Sequence, residues 1–197
     1  MIGWGADIAD ALAPNGLPKP GVLKVEFFKL QLMLPGNSYY DSMYLPTLPP
    51  GKSKIDVCAD YLFKVRMAMR SQFYRSLGEV FSQERSIQYY FTVPGIWNDA
   101  GRKALRAAII QAGYLRDEND NRLSYVTEGE AAARYCIKTS VLNLHVKDVV
   151  LIVDCGAATV DLQACELASE SPHSFAEFTS GSGDSCGSDC PICLGLC

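Results

Sequence analysis

An α/β fold is predicted by three features of the sequence. From residue 87 onward, apolar residues switch repeatedly between strict alternation and three- or four-residue steps, so that short strands and helices follow one another. Near the C-terminal end two apolar runs flank the short turn "DCGAAT", which reads as a hairpin. Of the 197 residues 48% are hydrophobic and 20% charged, enough to bury a core as one domain or as parts of two. Strand, helix, strand, helix, strand implies parallel crossovers, and the tight turn after Asp154 adds an antiparallel pair.

The first fifty residues are rich in turn clusters: "APNGLPKPG", "LPGNS" and "LPTLPPGKS". Between them "VLKVEFFKLQLML" alternates well enough to predict one or two strands. From Ser53 the pattern sharpens. Ile55, Ala59, Leu62, Val65, Met69, Phe73 and Leu77 fall on one helical stripe, bounded by "PPG" before it and Gly78 after it. A stripe of this kind is read as core packing, with Lys64, Arg66, Arg70 and Arg75 on a solvated opposite face.

"IQYYFTVP" then alternates as a half-buried strand, with Ile87, Tyr89, Phe91 and Val93 facing inward and Pro94 ending it. "WNDAGRKALRAAIIQAGY" reads as a helix capped by Asn98 or Asp99 and stopped by Gly113, followed by the polar turn "RDENDN". "LSYVT" is a short strand, and "EGEAAARYCIK" an alanine-rich helix starting at Glu128. "VVLIVD" and "TVDLQACEL" are the hairpin strands, and "SFAEFTS" alternates as a further one. "SESPHS" and "SGSGDS" are read as loops.

The formal net charge of -4 and isoelectric point near 5.2 give no basic field, so nucleic acid is not an expected partner. The start "MIGWGADIADALAPNG" has no basic or unbroken apolar leader, and "VVLIV" is far shorter than the ~20 residues of a membrane helix, so a cytoplasmic location without membrane contact is expected. Cys58, Cys136, Cys155 and Cys165 are spread among apolar segments and read as small buried hydrophobes.

A P-loop or a dinucleotide fold needs a helix after its glycines, and here a strand follows "DCGAAT". What remains is either a plain structural turn or a hairpin whose backbone N–H groups meet an oxygen anion while nearby carboxylates hold a hydrated divalent ion. Asp154 ends the first strand. Thr159 and Asp161, two apart, project from one face of the second and could offer a hydroxyl and a carboxylate to one ligand.

The order "YFTVPGIWNDAGRKALRAAIIQAGY", "VTEGEAAARYCIK", "VVLIVDCGAATVDLQACEL" resembles the 70-kilodalton heat-shock protein family of the actin-like ATPase superfamily, most closely its divergent chaperone-like branches, over residues 50–167. The resemblance implies a partial actin-like ATPase (ribonuclease H-like) fold with incomplete lobes. Residues 53–147 would be part of the first lobe, 148–185 the start of the second with its phosphate-loop hairpin, 1–52 an irregular segment, and 186–197 a Cys-rich tail without fixed structure. "TVPGIWNDAGR" makes Pro94 and Asp99 structural and places Arg102 near the junction of the lobes. Glu128 of "TEGEAAA" maps onto the carboxylate near the attacking water and the metal shell. In "DCGAATVD", Asp154 and Asp161 map onto the aspartates that hold Mg²⁺ through water, Gly156, Ala157 and Ala158 onto the phosphate turn, and Thr159 onto a neighbour of the γ-phosphate. Gly183 and Asp184 of "SGSGDSCGS" match a later glycine-rich segment. ATP and Mg²⁺ are the implied cofactors, with a co-chaperone or client protein as a further partner. Phosphoryl transfer to water is mostly positioning and charge neutralisation, which suits three carboxylates; without the resemblance, Glu128 reads as a residue favoured at a helix start by the dipole.

The departures are as informative. The turn has Gly156, Ala157 and Ala158 where the family has three glycines, and added methyls there are expected to crowd a phosphate. Gly129 stands where the family has proline, which is expected to loosen that helix start. No Asp-x-Gly-Thr-Thr hairpin with its following lysine occurs in these 197 residues, and nothing after Gly187 matches the adenosine clamp. Half of the cleft is therefore expected to be missing, with little or no turnover. The tail "CGSDCPICLGLC" packs Cys186, Cys190, Cys193 and Cys197 more tightly than structural zinc sites do, so a foreign or unstructured tail is expected rather than a zinc module. A second class of function, a non-catalytic interaction scaffold built on the same layer, stands beside the ATP-binding fragment.

Overall fold

The computed structural model describes residues 3–33, 47–78, 87–139, 141–157, 159–171, 173–184 and 187–188. They form a mixed α/β structure of two compact units, Met1–Tyr89 with Asp99–Leu123, and Tyr90–Asn98 with Ser124–Cys197. The division differs from the lobe boundaries expected from the sequence, because the helix that starts at Glu128 packs on the sheet that follows it. Ala158 and the tail cysteines lie outside the described residues.

The first unit is helical. After a 3-10 turn at Gly5–Ala11 come α1 (Phe28–Met33), α2 (Lys54–Leu77) and α3 (Asp99–Gln111). α1 replaces the strand predicted from alternation, and no strand forms among the described residues of 3–52. Phe28, Gln31 and Leu32 also fit a helical step, and Gln31 and Leu32 are buried; a short apolar run satisfies both periods, and packing on α2 and α3 decides. α2 starts with a capping box: Ser53 Oγ accepts from the Asp56 N–H (3.2 Å), and Asp56 accepts from the Ser53 N–H (2.8 Å). Hydrogen bonds from Ser53 and Gln111 hold the Asp56 carboxyl down at about 2. Val57, Cys58, Ala59 and Leu62 of α2 are buried, but Phe73 (45%) and Leu77 (54%) are exposed, so the predicted core stripe is core only in its first half. The cause is length: α2 has 24 residues and α3 has 13, about 36 Å against about 20 Å at 1.5 Å per residue.

α3 ends in a Schellman turn. Tyr114 N–H donates to Ile109 C=O, Gly113 N–H to Ile110 C=O, and Gly113 takes φ +81. Tyr114 Oη then donates to the Leu62 carbonyl (3.1 Å), fastening α3 to α2. The "RDENDN" turn is more than polar. The Asp120 side chain is wholly buried and accepts from Arg122 Nη2 (2.8 Å), Arg122 Nε (3.0 Å), Arg116 Nε (3.2 Å) and the Arg116 N–H (3.1 Å).

In the second unit β1 (Tyr89–Val93) and β2 (Leu123–Thr127) make a two-stranded sheet, and β2 runs straight into α4 (Glu128–Lys138). β3 (Val149–Cys155), β4 (Val160–Glu170), β5 (His173–Glu177) and β6 (Ser182–Asp184) form a separate four-stranded sheet that is antiparallel throughout. The expected single layer with parallel crossovers is thus two sheets, and the segment read as the loop "SGSGDS" contributes β6. β3 lies along one edge of β4, while β5 and β6 share the other. Cys165 and Leu167 of β4 are buried, with α4 packed on β3 and β4. Arg134 of α4 pairs with Glu130 (2.7 Å) and donates to the His173 carbonyl (2.7 Å), tying the helix to β5. The other face leaves Val149 (46%), Leu151 (65%), Val153 (55%) and Leu162 (38%) exposed. Cys155, expected to be buried, is exposed at the strand end, whereas Cys58 is buried and its thiol is pushed up to about 11.

Candidate functional site: paired aspartates under the start of α4

The β3–β4 register sets Asp154 directly opposite Asp161, and Ile152 opposite Gln163. Directly paired residues of antiparallel strands share a face, so both carboxylates and Gln163 are on one side of the sheet. α4 begins on that side. A Cβ on Gly129, its second residue, would lie 2.8 Å from Gln163 Oε1 and 3.4 Å from Ile152 Cγ2. Glu128, the residue before it, is half-buried and therefore starts over the face that carries Asp154 and Asp161. Asp154 and Asp161 thus share one side of the sheet, and α4, with Glu128 as its first residue, begins on that side.

Asp154 is exposed and Asp161 is buried, at 8%. Asp161 Oδ1 has no hydrogen-bond partner. β6 pairs alongside it in the sheet, with Gly183 opposite Asp161. Glycine is required there: a Cβ would come within 2.5 Å of the Val160 carbonyl and 3.2 Å of Asp161 Oδ1. Gly183 was legible only as a match to a glycine-rich segment, and the pairing supplies its physical reason.

The turn departs from the sequence expectation in one respect. The Gly156 N–H donates to the Thr159 carbonyl (2.9 Å), and the Ser188 N–H donates to the Gly156 carbonyl (3.0 Å). The Gly156 amide is thus spent on closing the turn. Ala157 is exposed and keeps a negative φ, since the positive-φ residues other than glycine among those described are Phe27 and Lys147. Its methyl therefore imposes no left-handed strain. Thr159 is half-buried.

Sequence reasoning missed Thr127 and Gln163. The Thr127 hydroxyl accepts from the Glu130 N–H (3.1 Å) as the cap of α4, and donates to Gln163 Oε1 (2.9 Å). Gly129, expected to loosen the helix start, does the opposite. Without a Cβ it lets Gln163 lie against the first turn, and a Cβ on Gly95 would also meet Gln163 Oε1, at 3.5 Å. Gln163 thereby ties the end of β2 to β4 and lies beside the turn after β1. The available signal was a glutamine at an inward position of "DLQACEL", in register with Asp161, Cys165 and Leu167.

No group of three or more His, Cys, Asp or Glu side chains that could hold a metal ion occurs among the described residues. No described helix is long and apolar enough to cross a membrane.

No family model matches the chain. Over 63 residues it is 36% identical to Heat shock 70 kDa protein 12A of Homo sapiens and, equally, to that of Mus musculus. Over about a third of its length the chain is thus similar to a protein of heat-shock-70 type. The matched stretch is 32% of this chain and 9% of either relative, so the chain spans a small part of the curated proteins it matches.

Proposed function

We propose that the second unit is the phosphate- and metal-binding end of an actin-like nucleotide-binding domain of heat-shock-70 type, which takes Mg·ATP weakly and does not turn it over. The observation that carries this reading is Asp161: a buried carboxylate oxygen without a partner, directly across the strand pair from Asp154, on the face where α4 begins at Glu128. A buried anionic oxygen left unmet is costly, and a cation or its bound water would meet it.

Two carboxylates without a third ligand do not make an all-protein cage, but Mg²⁺ keeps several waters and is held through one or two carboxylates plus phosphate oxygens. The donor set fits that mode. Asp154 and Asp161 would hold the ion through water, and the ion would supply charge neutralisation to the phosphates. The hydroxyl of Thr159 and the amides of Ala157 and Thr159 would face the phosphate, the Gly156 amide being engaged within the turn. Glu128 would orient water at the metal shell. Turnover needs charge stabilised from several sides, and removal of one donor can cost ~10²-fold or more in rate. The 197 residues hold one such acidic turn and no Asp-x-Gly-Thr-Thr segment.

Isothermal titration with Mg·ATP alongside a phosphate-release assay tests this on the whole chain. Expected are binding weaker than micromolar, weaker still in Asp154→Asn, and phosphate release equal in the two proteins. Micromolar binding with turnover that Asp154→Asn abolishes would show a complete catalytic site and overturn the proposal. A second reading, the interaction scaffold, draws on the exposed apolar ladder of Val149, Leu151, Val153 and Leu162. The absence of any Mg-dependent nucleotide binding would favour it.

A further inference from the structure

The first unit contains a cavity of about 390 Å³ that the nucleotide reading does not use. Its wall is formed by the 3-10 turn, the extended stretch before α1, and the first two turns of α2. That volume is within the ~300–1,000 Å³ range of small-molecule sites. One side is aromatic: Tyr61 stands between Trp4 (ring centroids 5.8 Å, edge-on) and Phe28 (5.3 Å, tilted). Aliphatic residues, among them Ile8 and Val57, line the rest. Among the lining residues, Lys52 and Asp60 are salt-bridged to each other at 2.8 Å, half-exposed at 42% and 36%. The other charged lining residue, Lys24, is paired with Glu26 at 2.6 Å.

The charge at this wall is therefore already balanced. A charged ligand would meet no net opposite charge there and would lose its own hydration against an apolar cavity. A neutral ligand need not, provided that it offers an acceptor to the ammonium and a donor to the carboxylate from adjacent atoms. A primary carboxamide does so, and a flat ring attached to it meets the three aromatic side chains edge-on or face-on. We propose that this cavity is a binding site for a small neutral aryl carboxamide, with the ring against Trp4, Tyr61 and Phe28 and the amide on the Lys52–Asp60 pair.

The chain has two tryptophans, Trp4 on the cavity wall and Trp97, buried in the other unit. 5-Fluorotryptophan labelling of the full chain gives one ¹⁹F signal for each, so Trp97 is an internal control. Titration with benzamide is expected to shift the Trp4 signal saturably, with the Trp97 signal unmoved. Benzoate and benzylamine, the anionic and cationic comparisons, are expected to bind about tenfold more weakly. Ala11→Leu, which fills the cavity, is expected to abolish the shift. Should that variant fold poorly, Asp60→Ala removes a half-exposed acceptor and frees the charge of Lys52, and the preference is expected to move to benzoate. A shift that does not saturate, equal or tighter binding of either charged compound to the unaltered chain, or an unchanged order in Asp60→Ala would overturn the proposal. None of these outcomes depends on nucleotide.

Discussion

Asp120 in the first unit and Asp161 in the second are both buried aspartates, and their surroundings are opposite. Asp120 sits in a turn whose neighbouring arginines surround it with charged and backbone donors at 2.8 to 3.2 Å. Asp161 sits in a strand, faces another carboxylate across the pair, and keeps an oxygen with no partner. Burial alone thus says little about function. A carboxylate saturated from within is a structural joint, while one left unmet beside a second carboxylate is what the proposed metal site rests on.

The largest effect is expected from Asp120→Ala. It takes the carboxylate partner from Arg122, whose side chain is 12% exposed and would keep the Tyr114 carbonyl, and removes the acceptor that shapes the turn between α3 and β2. Its urea midpoint is expected to fall, and further than that of Gly129→Ala. The guanidinium of Arg122 holds the Asp120 carboxyl well below the usual carboxylate range. A depressed folded-state value contributes stability above the unfolded value of about 3.9 and loses it as pH falls towards the folded one. The gap between wild type and Asp120→Asn is therefore expected to be widest near neutrality and to narrow below about pH 4 in urea titrations. An equal gap at every pH would mean that Asp120 does not act through its charge.

A smaller loss is expected from Gly129→Ala. The new Cβ would displace the Gln163 amide, which is held by Thr127 and is 9% exposed, so relief by simple rotation costs that hydrogen bond. The expected net cost is about 1 kcal/mol, the lost bond and crowding being partly offset by the better helix propensity of alanine. In a Gln163→Ala background the same change is expected to be neutral or to stabilise by a few tenths of a kcal/mol. A cost that persists without Gln163 would show that these two residues are not coupled.

Local signals in the sequence located most elements. The Ser53 and Gly113 ends, the strand at Leu123–Thr127, the helix start at Glu128 and the hairpin all lie where caps, periodicity and turn residues put them. The strand period put Asp161 on a face with Thr159, while Asp154 and Asp161 were singled out together only by the family resemblance, and their direct pairing comes from the β3–β4 register. What was not legible depended on partners distant in sequence. α1 is a helix because α2 and α3 pack on it, β6 is a strand because Gly183 can approach Val160, and Gln163 acquires its role from Thr127, 36 residues away. The Asp120 cluster looked like an ordinary polar turn because composition does not reveal which side chains fold inward.

The smallest effect bears most directly on the comparison. If Asp161 Oδ1 is unmet in the metal-free protein, Asp161→Asn removes a buried charge at little steric cost, and the metal-free variant is expected to be more stable than wild type by up to about 1 kcal/mol. The same change at Asp120 is expected to have the opposite sign, because there the charge is what the arginines hold. Mg²⁺ sharpens the contrast. An ion that binds only the folded chain adds about 0.4 kcal/mol when its concentration equals its dissociation constant, rising with further addition. Wild type is expected to gain stability across a Mg²⁺ series at constant ionic strength, Asp161→Asn to stay flat, and Asp120→Asn to respond like wild type from its lower starting point. A destabilised Asp161→Asn that still responds to Mg²⁺ would place the ion elsewhere and make Asp161 a structural joint like Asp120.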